Sequence, residues 1–481
     1  MHKPIHTLGF IAAISLLLIA ISLVIPDNGL TITERVTIKY PSFHSLFLSQ
    51  PTQKKDISNI IALADSAEHS AKTNKDTISL TVKNNFVQLN TSIQYKDDSR
   101  QSLSHFFNAL QNITNETNSI RVLHYGDSQI EGDRITDYLR MKLQGQFGGA
   151  GPGLISFMPV APSVINKLSW SENWDRYPVF IGKDKRVKHS NYGVLAHITR
   201  FSNYNELQDT THHKSAWVKM TTSKNGGVQA AAYHTIRLFY GGAKTKTLVE
   251  FYENGVLNNT DSLSAGGYFN VKQYQLNQKA SLQEFKFQGK DSPDFYGISL
   301  EGDKGIMIDN IGLRGSSGTF FNQINLNQLQ QFYEYLNTKL IILQFGGNTL
   351  PYITTTEQAV QYGKYLKAQI LTIKKIAPHA SLLIIGPADM SVKNGTVYET
   401  HPQLEDLRDA IQKTAFETDC AFFDLYNCMG GKNSMVSWVE AGIGAKDYIH
   451  FSAGGARKIA VLLYSSLIND YSNYIQLNKT H

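Results

Sequence analysis

Gly126-Asp127-Ser128 closes the short apolar run 122–125 and opens a helical pattern carried by Ile135, Tyr138, Leu139 and Leu143. A serine at such a strand-to-helix turn stands at the carboxyl end of a sheet. The free amides of a helix N-terminus lie beside it and can hold an oxyanion. The same tripeptide also makes an ordinary helix cap, because Asp and Ser oxygens accept from first-turn amides. A serine becomes a nucleophile only with a general base, and a histidine base needs an acceptor that fixes its tautomer. Asp447-Tyr448-Ile449-His450, just before a helical stretch over about 453–467, contains both. Three residues apart in a loop, the two side chains can face each other and turn the imidazole outward. The chemistry these residue types allow is acyl transfer through a serine ester.

Two more blocks lie between them. One is Asn310-Ile-Gly-Leu-Arg-Gly315; the other is Gly346-Gly-Asn348, which follows the apolar strand 340–345. The four blocks, in this order, resemble the SGNH (GDSL) hydrolase family. That resemblance implies an α/β fold of the SGNH, flavodoxin-like kind, three layers around a parallel sheet. It implies Ser128 as nucleophile, His450 as base and Asp447 as the orienter of His450. The amides of Ser128 and Gly315 and the side chain of Asn348 become the oxyanion donors. The chain departs from the family pattern at Gln129, where an apolar residue is usual, and at Thr349, where an Asp often follows the Asn. Asp389, at the end of the strand before Gly386-Pro-Ala-Asp389, is a rival partner for His450 and ranks second because it lacks the Asp-x-x-His spacing. Trp438 and Gln129 are the candidates for lining the acyl or substrate pocket. His124, inside the strand that leads to Ser128, has no task in the family pattern and reads as structural.

The elements that must position these groups follow from periodicity. Past residue 303, helical patterns at about 322–337, 357–376 and 404–418 each precede an apolar strand, at 340–345, 381–385 and 421–425. This alternation predicts a parallel sheet covered by helices on both faces. Between residues 167 and 302 the period changes to two, as in 216–220, 234–240, 247–252 and 281–287. Glu253-Asn-Gly255 reads as a hairpin turn. Strands at this spacing predict an inserted β-sandwich or jelly roll. The whole architecture resembles that of bacterial peptidoglycan O-acetylesterases, in which a carbohydrate-binding-module-like sandwich interrupts the SGNH domain. Trp170, Trp174, Tyr177, Tyr192 and Tyr204 are candidates for stacking on sugar rings, with core packing as the alternative. The glycine-rich run 148–154 lacks Gly-Lys-Ser/Thr and reads as a substrate-side loop or tight turn rather than a phosphate cradle.

At 481 residues and 42% hydrophobic, the chain is long enough for more than one domain. Residues 8–25 carry no charge, and about 18 residues at 1.5 Å span about 27 Å, enough for a bilayer core. The run ends without a small-x-small site and follows a basic flank. It therefore reads as an uncleaved anchor with the body exported, a cleaved signal being the alternative. The expected divisions are an anchor over 1–26 and a largely extended juxtamembrane spacer over 27–99, the latter with short apolar patterns near 57–63 and 78–87 and room for a small helix. Next come a first SGNH segment over 100–166, the inserted sandwich over 167–302 and a second SGNH segment over 303–481. A formal net charge of +6 without a dense Lys/Arg tract argues against a nucleic-acid partner. Cys420 and Cys428 flank a predicted strand too long for a disulfide and read as unpaired. No Cys/His spacing suggests zinc, so neither metal nor cofactor is expected.

These readings converge on a serine esterase that removes O-acetyl groups from a cell-envelope polysaccharide, with peptidoglycan first. It would be held in a bacterial inner membrane with its body in the periplasm, or secreted if the leader is cleaved. The alternatives are an O-acetyltransferase using the same acyl-serine and a non-catalytic glycan-binding envelope protein. No protein partner is expected.

Overall fold

The computed structural model describes residues 4–26, short pieces between 30 and 43, and residues 54–73, 91–97, 100–204, 212–222, 227–277, 282–395 and 397–479. Five parallel strands make the central sheet: Ile306–Gly312, Ile120–Gly126, Thr338–Gln344, Ser381–Ile385 and Ala421–Phe423, in that spatial order. They read as near-continuous apolar runs because both faces are covered. Successive residues alternate between two cores. Val122, Ile342, Leu383 and Ile385 face one core, together with Phe106, Phe107, Tyr138 and Leu143. Leu123, Ile341, Leu343 and Ile384 face the other, with Phe332, Leu366, Ile370 and Ile411. The result is three layers, as the alternation of elements predicts.

Numbered by their place in the chain, the parallel strands run 2-1-3-4-5. The order reverses between Ile120–Gly126 and Thr338–Gln344, and ligands of open α/β sheets bind at the carboxyl ends of strands at that switch. The helices are stopped and started locally. Asn325 accepts from the amides of Asn327 and Gln328 to cap Leu326–Tyr335. Thr355 caps Thr356–Ile376, whose last turn holds Lys374 and Lys375 against the carbonyl end.

Two antiparallel sheets form the insert. One runs Asn270–Gln275, Thr235–Gly241, Asp294–Glu301, His197–Arg200, Asp175–Pro178; the other runs Val256–Leu263, Thr247–Glu253, Leu282–Gly289, Lys214–Thr222, Asn166–Trp170. Asn254 and Gly255, both at positive φ, turn the hairpin that pairs Glu253 with Val256. The sheets enclose Phe157, Trp174, Phe251, Phe285, Phe287 and Phe295. The outer face of the first sheet is not free. Its Phe239 and Tyr296 rings lie 5.4 and 5.8 Å from Phe332 of the α/β domain.

The insert begins earlier than residue 167. Gly153–Ile155 already pairs with Asp294–Glu301 as a sandwich strand. This explains the glycine-rich run: a Cβ on Gly149 would sit 2.4 Å from Ile306 O, and one on Gly151 2.3 Å from Leu300 O. The glycines let the chain entering the insert run against the chain leaving it, so the run is the crossover between the two parts. Three of the five candidate sugar-stacking rings, Trp174, Tyr177 and Tyr192, are buried in core. Trp170 is partly buried against the sandwich interior, and Tyr204 hydrogen-bonds Asp294 at 2.8 Å.

Residues 54–73 and 91–97 are not a spacer. Ser58–Thr73 is a helix whose Ile57, Ile60, Leu63, Ala64 and Ala67 are buried in the same core as the last helix, Ala453–Lys479. Glu68–Arg457 and Asp65–Lys458 ion pairs flank that contact at 3.0 and 2.7 Å. Ile93–Gln94 adds an antiparallel edge strand to Ala421–Phe423. The apolar pattern near 78–87 lies outside the described residues. Pro4–Val24 is a 21-residue helix with a mean hydropathy of 2.6 over its most apolar 18 residues; its side chains are almost all exposed, and it is long and apolar enough to cross a membrane. The strand after Cys420 is shorter than expected, ending at Phe423 where Asp424 caps the turn Leu425–Cys428. Both cysteines are nonetheless free and buried.

Leu63→Ala should therefore cost about 2–4 kcal/mol, the usual cost of a Leu-to-Ala cavity, measured by urea unfolding of the full chain. An unchanged midpoint would mean that the helix does not belong to the body.

Candidate active site

Three of the four sequence blocks lie at the carboxyl ends of three neighbouring strands. Ser128 follows Ile120–Gly126, Gly315 follows Ile306–Gly312, and Asn348 follows Thr338–Gln344. The fourth, the loop holding Asp447 and His450, precedes the long helix Ala453–Lys479 and reaches over the same sheet end.

Ser128 Oγ lies 2.8 Å from His450 Nε2. His450 Nδ1 lies 2.8 Å from Asp447 Oδ2. A carboxylate only accepts, so Nδ1 carries the proton and Nε2 presents its lone pair to the serine hydroxyl. Asp447 is itself fixed: its Oδ1 accepts from the amides of Ile449 and His450 at 2.9 and 3.0 Å. Burial alone would raise its pKa, but the His450 amide and imidazole and the Ile449 amide outweigh that and hold the carboxyl below its usual range. Tyr448, between the two, takes a positive φ of 59°. Its ring stacks on Tyr398 at 3.7 Å, and its carbonyl accepts from Ser391 N–H at 3.0 Å. The hairpin Ser391–Asn394/Val397–Thr400 thereby braces the loop, a contact that no sequence motif announces.

The turn around Ser128 is tight. Asp127 Oδ1 accepts from Gln129 N–H at 2.9 Å. A Cβ on Gly347 would lie 3.2 Å from the other Asp127 oxygen, and Gly346 takes φ 127°, so both positions of the third block before Asn348 favour glycine. Buried in this contact, the Asp127 carboxyl is pushed up to about 6. Asn348 Nδ2 donates to Ser316 O at 3.2 Å, joining the third block to the residue after Gly315. A carboxamide has two N–H donors, so one remains for an oxyanion. Gly315 has φ 83°, a conformation that turns its backbone as a side chain would resist.

The other candidates fall elsewhere. Asp389 is buried and already accepts from Thr400 Oγ1, the Met435 amide and Ser434 Oγ, at 2.8, 2.7 and 3.2 Å, so it is committed to the neighbouring loop and not to His450. Trp438 has no exposed surface; its Nε1 donates to Met429 O at 2.9 Å and its ring packs on Phe451. It supports the His450 loop from beneath and lines no open pocket. Gln129 is 8% exposed and donates to Ile449 O at 2.7 Å, clamping the His450 loop to the serine turn instead of facing substrate.

His124 is fully buried, as the structural reading expects, but it is not inert. Asn310 Nδ2 donates to Thr136 Oγ1 at 2.7 Å, Thr136 lies 3.2 Å from His124 Nδ1, and His124 Nε2 lies 3.1 Å from Gln344 Oε1. This buried polar chain crosses the first three strands of the sheet directly below the site. Asn310 opens the second block, so the motif carries an internal brace as well as a loop.

No protein-family model matches the chain, and no curated protein matches it by sequence. Among solved structures, it is similar to a peptidoglycan O-acetylesterase, with a TM-score of 0.61 at 23% identity over 79% of this chain and 99% of that one. A putative GDSL-like lipase from Parabacteroides merdae covers 34% of this chain and 74% of its own, at 17% identity and a TM-score of 0.26. An acetyl xylan esterase covers 34% and 81%, at 18% identity and a TM-score of 0.25. The first likeness spans more than the α/β segments can supply and so takes in the insert. The chain shares the fold of that first structure, a three-layer α/β domain interrupted by a β-sandwich.

Burial pushes His124 down to about 4, below the 6.5 of a solvated imidazole. Its contribution to stability is complete above pH 6.5 and is lost as pH falls toward 4, because only the unfolded chain takes up the proton. Asp127, raised to about 6, has the opposite sign: its contribution is complete below 3.8 and lost as pH rises through 6. Only a difference measurement separates the two. The stability gap between wild type and His124→Gln should narrow by about 2–3 kcal/mol between pH 7 and pH 4.5 in urea melts. A gap independent of pH would show that His124 titrates as a solvated residue does.

Proposed function

We propose that this chain is a serine esterase that removes O-acetyl groups from a cell-envelope polysaccharide, most specifically peptidoglycan. The observation that carries the proposal is the hydrogen-bonded series Ser128–His450–Asp447, at the carboxyl ends of the strands where their order reverses. His450 Nε2 takes the hydroxyl proton as Ser128 Oγ attacks the ester carbonyl. The oxyanion is met by the amides of Ser128 and Gly315 and the free N–H of Asn348, and the sugar hydroxyl leaves with the proton from His450. Water, deprotonated by His450, then cleaves the acyl-serine and releases acetate. Asp447 keeps the imidazole in the tautomer that both half-reactions use.

Three features support a polymeric envelope substrate. The fold is that of a peptidoglycan O-acetylesterase. A β-sandwich is fixed beside the site and extends the surface a glycan strand can follow. An exposed apolar helix precedes the body and suits an anchor in the inner membrane, with the body in the periplasm.

Acetate release from O-acetylated peptidoglycan and from acetylated xylan by the purified chain tests the reading. Ser128→Ala and His450→Ala should each lose about 10³-fold or more in rate while melting as wild type does. Near-normal release by either folded variant overturns the assignment, and release only on adding an acceptor sugar reassigns the chain to acyl transfer. Asn348→Ala should lose on the order of 10²-fold in kcat; an unchanged kcat rejects its donor role.

A further inference from the structure

A cavity of about 90 Å³ lies in the seam between the sandwich and the α/β domain; about 10–15 Å³ suffices for one water, so a carboxylate fits. Its α/β wall includes Glu131 and Asp133, which lie on the same turn as Ser128, and the sandwich side includes Asn166, Arg176 and His197. The acidic groups of this wall are neutralised internally. Asp133 accepts from Arg140 and from Ser163, each at 2.8 Å. Glu131 takes a two-pronged contact from Arg314, both bonds 2.8 Å, and a longer one from Arg134.

Arg176 has no such partner. Among the described residues no carboxylate pairs with it, and its Nε is buried without a hydrogen bond. Its nearest polar neighbour is His197 Nδ1, at 3.4 Å. That nitrogen lies 2.8 Å from Leu195 O, and Nε2 lies 2.7 Å from Ser156 Oγ. A carbonyl only accepts, so Nδ1 bears the proton and has no lone pair for the arginine. Burial, with the guanidinium alongside, holds His197 well below its usual range and so uncharged. The Phe180 ring, 5.6 Å away, is the remaining support for the cation. Burial lowers Arg176 to about 10, which leaves it charged at neutral pH. Asn166 adds a buried side-chain oxygen that also lacks a partner.

Arg176 is partly buried, and a guanidinium drawn even partly out of water without a counter-ion works against folding. Sites that recognise ligands are where proteins keep such costs. We propose that Arg176 and Asn166 form a carboxylate-binding subsite that selects an acidic glycan for the serine site, from which the segment Glu131–Asp133 leads to the cavity wall. This rests on the esterase reading and deepens it. The guanidinium fork takes a carboxylate with two parallel bonds, and Asn166 Oδ1 accepts from a hydroxyl or amide N–H beside that carboxylate. Muramyl residues freed of their stem peptide present this combination through the lactyl carboxylate; a neutral acetylated polymer does not.

The test is calorimetric binding to the full chain, using probes that carry no ester. Soluble peptidoglycan glycan fragments stripped of both stem peptide and acetate supply the lactyl carboxylate, chitotetraose is the neutral control, and sodium acetate is the free carboxylate. Wild type should prefer the fragments to chitotetraose by on the order of tenfold, and Arg176→Met should lose that preference, with Arg176→Lys in between. The melting temperature of Arg176→Met should equal or exceed that of wild type, because an unpaired, partly buried charge has been removed. Equal fragment binding by wild type and Arg176→Met overturns the proposal. So does a lowered melting temperature or failure to fold in Arg176→Met, which would make the arginine structural. Acetate bound as tightly as the fragments would overturn the glycan as the source of the carboxylate. Because no probe is hydrolysed, failure of the esterase reading alone would leave fragment binding intact.

Discussion

A single 2.8 Å hydrogen bond, Ser128 to His450, joins residues 322 apart in the chain, and much of the fold works to keep its two ends in register. The serine end is set by the sheet. Gly126 and Asp127 leave the strand in a turn where neighbouring backbone approaches closely, and Asn310, Thr136, His124 and Gln344 tie three strands together beneath it. The histidine end has no strand to stand on. It depends on Asp447 gripping its own loop, on Gln129 reaching across from the serine turn, and on Trp438 filling the space below. Hydrogen bonds in this half-buried setting orient groups more strongly than in water. Preorganisation of this kind is what an acyl-transfer site needs, since geometry lost at the base is lost in both half-reactions.

How much of this is legible in the sequence depends on how local the cause is. Gly126-Asp127-Ser128, Gly346-Gly-Asn348 and Asp447-Tyr-Ile-His450 each write their geometry into a few adjacent residues, so the places these blocks would occupy can be named from the chain alone. The parallel sheet is legible for the same reason, because runs buried on both faces are continuous in sequence. Gln129 and Trp438 are misread as pocket residues because burial depends on partners far away in the chain. An amide beside a serine looks like a substrate contact until Ile449 O is found at its tip. A small helix is legible near 57–63, but the docking of Ser58–Thr73 is not: its buried face is Ile60, Leu63, Ala64 and Ala67, with Ile57 just before it, and the polar remainder reads as linker unless the docking face on Ala453–Lys479 is known. The edge of the insert is misplaced because Gly153–Ile155 is too short to show a period.

The insert is no loosely tethered module. Phe239 and Tyr296 of its inner sheet share a core with Phe332 of the α/β domain. Arg121, Glu301, Asp309 and Arg237 lace the seam with buried ion pairs. A seam with both an apolar core and matched charges resists the hinge motion that small polar domain interfaces allow. Any group on the sandwich side therefore keeps a fixed place relative to Ser128.

That rigidity gives the unmatched Arg176 its significance. Along the same seam the buried Arg121 meets two carboxylates, whereas the partly buried Arg176 meets none among the described residues. Had the seam been selected for stability alone, an apolar residue of similar volume would serve better at position 176. On a mobile domain a cation would specify little, because a ligand could pull it anywhere. In a rigid seam it constrains where on a polymer the negative charge must lie relative to the bond being cleaved, and binding energy gained there is spent on positioning the ester at the serine.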